Sequence, residues 1–162
     1  DTVTYKNGQF GREDVVEYQE GIFVGYRYYE KEGVEPAYSF GYGLSYTDFL
    51  LENLTLKSVS ADGAELTVDI HNVGSVSGAE VVQCYVSDCE CSVERPVKEL
   101  KAYSKVFLQP GECKNITLTL PREAFAFYDV ESKDFRVEPG EFEIYVGTSV
   151  DKCVKLPVRV SM

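Results

Sequence analysis

The chain has 162 residues, 44% of them apolar and 27% charged, a composition that excludes disordered and fibrous classes and fits one packed core. Its 16 basic and 27 acidic residues leave a net charge of −11, a field that repels phosphate backbones and anionic lipids and so argues against nucleic acid and membrane as partners. No apolar run reaches the ~18 residues of a membrane span, and the start, Asp1-Thr2-Val3-Thr4, lacks the basic-then-apolar pattern of an export signal.

Residues 1–52 form a Tyr- and Gly-rich lead-in that holds 12 of the 21 aromatic residues and 7 of the 13 glycines. No regular period runs long in it. Between Val15 and Tyr29, Tyr18, Ile22, Tyr26 and Tyr29 recur at near-helical spacing, but Gly21 and Gly25 interrupt them and Phe23, Val24, Tyr26 and Tyr28 suit a strand. The reading is a short strand or extended turn. Such a lead-in is expected to lean on another surface rather than fold alone. With no Gly/Ser linker after it, that surface includes the domain that follows. Gly41-Tyr42-Gly43 lacks the third glycine and the strand–loop–helix setting of a nucleotide loop, so its glycines are read as tight turns between tyrosines.

From residue 53 to 162 the period becomes two, with turn signals every eight to twelve residues, which predicts an antiparallel two-sheet sandwich of about seven strands. Leu54–Val59 and Glu65–Ile70 flank Asp62-Gly63 and read as a hairpin. After a turn at Asn72-Val73-Gly74-Ser75, Glu80–Val86 puts Val82, Cys84 and Val86 on one face and Val81, Gln83 and Tyr85 on the other, as in a strand covered on both sides. Leu100–Leu108 closes at Gln109-Pro110-Gly111-Glu112, a type II-like turn in which Gly111 takes positive φ. Ile116, Leu118 and Leu120 share a face until Pro121, and Phe125, Phe127 and Tyr128 are expected to point into the core. Glu138-Pro139-Gly140-Glu141 is read as a turn before Phe142, Ile144 and Val146. Val154, Leu156, Val158 and Val160 then close the sheet, Pro157 marking an edge.

Chemistry finds little equipment. The nearest carboxylate pairs are Glu17 with Glu20, and Asp88 with Glu90, and nothing in the sequence buries either, so they read as solvated. The single histidine, His71, lies at a strand end and reads as a sheet-face side chain. Cys89-Glu90-Cys91 beside Asp88 has no second ligand pair at zinc spacing, and Cys84 reads as a small core residue. No catalytic, cofactor-binding or metal-binding residue is assigned, and no cofactor. The five cysteines (84, 89, 91, 113, 153) are odd in number and closely spaced, which suits free thiols and favours a reducing compartment, secretion staying open. Asn53-Leu54-Thr55 and Asn115-Ile116-Thr117 are sequons short enough to occur by chance. Tyr26, Tyr28, Tyr29, Tyr38, Phe40, Tyr42 and Tyr46 form either an interdomain packing surface or a platform for sugar rings.

Several strings resemble the carboxyl-terminal part of glycoside hydrolase family 3, which includes β-glucosidases and β-xylosidases. Glu20–Glu30, Pro36 and Phe40–Thr47 are similar to the end of that family's α/β domain and the run beyond it. Asn72-Val73-Gly74, Glu80–Gln83, Arg95–Lys101, Ala126–Asp129 and Val137–Gly140 are similar to its fibronectin type III-like domain. The resemblance implies that 1–52 is the tail of an α/β domain plus lead-in and 53–162 the sandwich. The family's aspartate nucleophile stands commonly beside a tryptophan, and this chain has none. Its Lys-His sugar-binding pair has no counterpart either, and cysteines at 84, 89 and 91 depart from the usual pattern. The resemblance therefore implies a non-catalytic accessory domain of a β-glucosidase-like parent, partnered by that parent's catalytic barrel and α/β domains. Alternatives are a carbohydrate-binding module and, by analogy of fold alone, an adhesion or oligomerisation domain. The lead-in's exposed aromatics predict a sticky surface in this chain, with partial disorder or self-association there.

Overall fold

The structure, a computed structural model, describes residues 20–160. Those residues form a β-sandwich. One sheet has three strands in the order β1-β2-β5, with β1 Phe49–Ser60, β2 Gly63–Asn72 and β5 Cys113–Pro121. The other has four in the order β4-β3-β8-β9, with β3 Gly78–Asp88, β4 Glu99–Leu108, β8 Gly140–Ser149 and β9 Lys152–Val160. All pairings within the two sheets are antiparallel. A small hairpin, β6 Phe127–Asp129 with β7 Asp134–Arg136, stands apart.

The alternation read from the sequence is the alternation that packs. Leu66, Val68 and Ile70 of β2 meet Val82, Cys84 and Val86 of β3, with Leu118, Leu120, Ile144 and Val146 completing a core from which water is excluded. A 3-10 turn at Arg122–Ala124 drops Phe125 into that core edge-on to Phe142, ring centres 5.2 Å apart. Gly111 takes the positive φ (+73°) expected of its turn, and Glu112 N–H closes on the Gln109 carbonyl at 3.0 Å. Pro157 lies in β9, an edge strand, as expected.

Four local expectations are corrected. The first hairpin turns on Ala61-Asp62, because Gly63 already pairs with Ser60. At Gly63, φ is +134°, and any side chain would strike the Leu120 carbonyl. Tyr128 is 52% exposed, since β6 puts Phe127 inward and Tyr128 outward against Phe135 of β7. Glu138–Glu141 is not a turn. Pro139 favours an extended Glu138, and Gly140 opens β8 opposite Val160. Last, the segment expected to be strand or extended turn contains a helix, α1 Tyr26–Glu32, and its part before residue 20 lies outside the described residues. Gly25 and Gly33 bracket this helix rather than interrupt it. Gly33 adopts the left-handed conformation (φ +62°) that ends a helix, and Val34 N–H reaches back to the Tyr29 carbonyl at 2.9 Å.

Candidate functional site

The lead-in lies on the outer face of the four-stranded sheet. On that face Tyr85 is 0% exposed although it points away from the sandwich core, which is the two-sided burial expected of β3. Its hydroxyl donates to Gln83 Oε1, and Gln83 Nε2 donates to the Thr148 carbonyl at 2.9 Å. Gly41, at φ +87°, sits so close over the Gln83 amide that a side chain there would displace it. Tyr26 packs edge-on to Tyr85 (5.8 Å between ring centres) and against Phe40 (5.0 Å). Two hydrogen bonds fix the register: Leu100 N–H to the Tyr26 hydroxyl, 2.9 Å, and Val150 N–H to the Phe40 carbonyl, 2.9 Å. Ion pairs complete the seam: Lys98–Glu30 at 2.7 Å, Arg27–Glu99 at 3.4 Å and Lys31–Glu94 at 2.6 Å. Burial drives the Tyr85 phenol well above its ordinary pKa.

The other side of the lead-in is open. Tyr46 is 97% exposed and Leu44 91%. Ile22, Val24, Tyr38, Phe40 and Tyr42 are exposed as well, with Tyr38 and Tyr42 5.1 Å apart. The aromatic residues singled out in the sequence thus divide, Tyr26 being used inward and Tyr38, Tyr42 and Tyr46 presented outward. Between α1 and residues 33–40 lies a cavity of about 370 Å³, lined by Tyr26, Tyr29, Tyr38 and Phe40 and by the acidic residues Glu30, Glu35 and Asp151 among others. One oxygen of Glu30, Oε2, is buried with no hydrogen-bond partner.

Sequence reasoning missed a buried charge cluster at one end of the sandwich. Arg95 donates to Asp88 (3.1 Å), Glu99 (2.8 Å) and the carbonyls of Phe125 (3.1 Å) and Ala126 (3.3 Å). Asp88, expected to be solvated, has a side chain only 3% exposed, because this guanidinium compensates its charge. Burial pushes the Glu99 carboxyl up, but Arg95, Lys101 and Arg27 outweigh it and hold it below its ordinary value. The available signal was an arginine between two strands with carboxylates at positions 88 and 99. Nothing in residue spacing marked them as partners.

The remaining candidates lie elsewhere. Glu20 is half-buried, Glu90 exposed, and Glu17 outside the described residues. His71 lies on the outer face of the three-stranded sheet, 3.1 Å from Cys113 Sγ and 3.5 Å from Glu52. Nearby, the amides of both sequon residues, Asn53 (2.8 Å) and Asn115 (2.6 Å), donate to the single carboxylate of Asp69. Cys84 is buried in the core and burial pushes its thiol up to about 12. Cys89 is exposed and Cys91 half-buried, and all five cysteines are free. Among the described residues no three His, Cys, Asp or Glu side chains are grouped to hold a metal. Among the described residues, each carboxyl whose acidity the structure clearly shifts moves toward the ionised form: Asp69, Glu99, Glu112, Asp129, Glu138, Glu143 and Asp151. A general acid for glycosidic cleavage needs the opposite shift.

A fibronectin type III-like domain profile matches residues 80–150. The chain is 50% identical over 155 residues to thermostable β-glucosidase B of Acetivibrio thermocellus, covering 93% of this chain and 20% of that protein. It is 43% identical to an exo-α-(1→6)-L-arabinopyranosidase of Bifidobacterium breve, covering 86% of this chain and 18% of that one. The crystal structure of the GH3 β-glucosidase of Bifidobacterium adolescentis superposes with a TM-score of 0.89 at 40% identity, over 93% of this chain and 22% of that one. The chain therefore spans about a fifth of the length of the curated relatives it matches. With sandwich and profile in agreement, the chain carries a fibronectin type III-like domain and is homologous to a segment of the family 3 glycoside hydrolases.

Proposed function

We propose that this chain is the non-catalytic carboxyl-terminal part of a family 3 glycoside hydrolase acting on β-glucosides or related β-glycosides. In this reading, residues 1–52 are the tail of the α/β domain and the lead-in, and residues 53–162 the accessory sandwich. The observation that carries it is the two-sided lead-in. Its inner side is bonded to the sheet through Tyr26, Phe40 and Gly41, and its outer side presents Tyr38, Leu44 and Tyr46 bare. An apolar face of this kind calls for a cover. A chain a fifth as long as its relatives leaves ample polypeptide to supply one.

The role is mechanical. The sandwich holds the lead-in in one conformation, and the lead-in clamps the catalytic domains. The relatives named for different sugars match this segment similarly well, which supports placing sugar choice elsewhere in the enzyme. Deleting residues 53–162 from the full-length enzyme is expected to lower its melting temperature and soluble yield. Unchanged melting and unchanged activity after that deletion would sink the proposal.

A further inference from the structure

We infer that the cavity under the lead-in is a socket for an arginine side chain presented by the polypeptide that covers this face. The inference rests on the accessory reading above and names the chemistry of the contact. Three acidic residues, Glu30, Glu35 and Asp151, are among those lining a space of about 370 Å³, together with the aromatic residues Tyr26, Tyr38 and Phe40. Lys98 meets Glu30 Oε1 at 2.7 Å, and Lys152 acts on Asp151. Ser149 donates to Asp151 at 2.6 Å, and this hydrogen bond outweighs burial and keeps that carboxyl below its ordinary value, so it is anionic at neutral pH. Glu30 Oε2 has given up water without gaining a donor.

An occupant must therefore bring positive charge and N–H donors into an aromatic enclosure. A guanidinium does both: its flat face stacks on tyrosine and phenylalanine, and its N–H groups reach carboxylates in pairs. A sugar ring would stack on the same aromatic faces. Its hydroxyls would donate to the carboxylates, but a neutral ring leaves their negative charge uncompensated. The exposed rim of Val34, Tyr38 and Phe40 fits a polypeptide surface arriving with the arginine rather than a free solute.

The test uses the full chain and small probes. N-acetyl-argininamide, its neutral isostere N-acetyl-citrullinamide, and methyl β-D-glucoside are titrated separately while backbone amide resonances of residues 26–40 are followed by NMR. Saturable shifts with the arginine probe alone are expected. The affinity should fall about fivefold or more in Glu30→Gln, as loss of one charge-assisted contact implies, and should weaken in raised salt. Glu35→Gln, at an exposed position, gives a second reading should Glu30→Gln fold poorly. Equal response to citrullinamide, saturation by the glucoside without the arginine probe, or an unchanged affinity in both folded variants overturns the socket. None of these results touches the deletion experiment, so the accessory role and the socket fail separately.

Discussion

The two outer faces of the sandwich show what one fold does with and without a neighbour. On the three-stranded sheet, β2 sends Glu65, Asp69 and His71 outward, and β5 adds Cys113, Asn115 and Thr117 beside them. That face is a solvated surface with polar cross-strand contacts. On the four-stranded sheet the same outward positions of β3 hold Gln83 and Tyr85, both sealed from water by the lead-in. A sheet apolar on both sides requires a cover, and here the cover carries its own apolar outer side. This sandwich has one finished face and one that passes the need for burial outward.

The largest loss is expected at Arg95, which ties β3, β4 and the segment after the 3-10 turn together. Arg95→Ala leaves Asp88 buried without its cation and Glu99 with only the longer contacts to Arg27 and Lys101, and is expected to destabilise the chain by about 3–5 kcal/mol in urea unfolding; Arg95→Lys should recover only part, lacking the planar fork. Next in size is Tyr26→Ala, which removes the ring between Phe40 and Tyr85 and the acceptor for Leu100 N–H. A loss of about 2–3 kcal/mol is expected from the vacated volume. Protease cuts should then appear between residues 33 and 47 while the sandwich stays folded. Cleavage confined to the sandwich loops would contradict the division into cover and covered.

A smaller effect is expected in acid. The folded pKa of Glu99 lies below the ordinary 4.5, so its stabilising contribution is complete above about that pH and is lost as pH falls through the depressed value. Glu99→Gln should flatten that part of the stability profile, measured as unfolding free energy against pH. The smallest changes should come from surface positions. His71→Ala on the finished face, and Tyr46→Ser on the unfinished one, should each shift stability by less than about 0.5 kcal/mol. The two separate by a different measurement: only Tyr46→Ser should lower self-association in sedimentation experiments, because only its face is apolar.

Much of this was legible in the residues. Period-two alternation marked Val82, Cys84 and Val86 as one buried face and Tyr85 as the other, since strand geometry maps sequence parity directly onto space. Gly111 and Pro157 announced a turn and an edge through backbone restrictions that belong to the residue itself. What failed depended on distant partners or on direction within a turn. Asp88 looked solvated because Arg95 reaches it only when β3 and β4 pair. Gly25 looked like an interruption because a glycine inside a helix and one at its end are the same letter. Tyr128 looked like core because the neighbouring strand that turns it outward, Asp134–Arg136, is only three residues long. The aromatic cluster was recognised, but its split into an inner and an outer set required knowing where β3 runs beneath it.

The hydrogen bond from Val150 to the Phe40 carbonyl also carries a consequence in time. The lead-in emerges from the ribosome before any of its seat exists: Tyr85, Leu100 and then Val150 follow, the last roughly a hundred residues later. At about 5–20 residues per second, the bare tyrosines wait several seconds for their platform. During that interval Tyr26 and Phe40 have no native neighbour to hold, and the nascent chain is at its most adhesive. Chaperone demand during synthesis should therefore peak at this stage and fall once β8 and β9 have emerged.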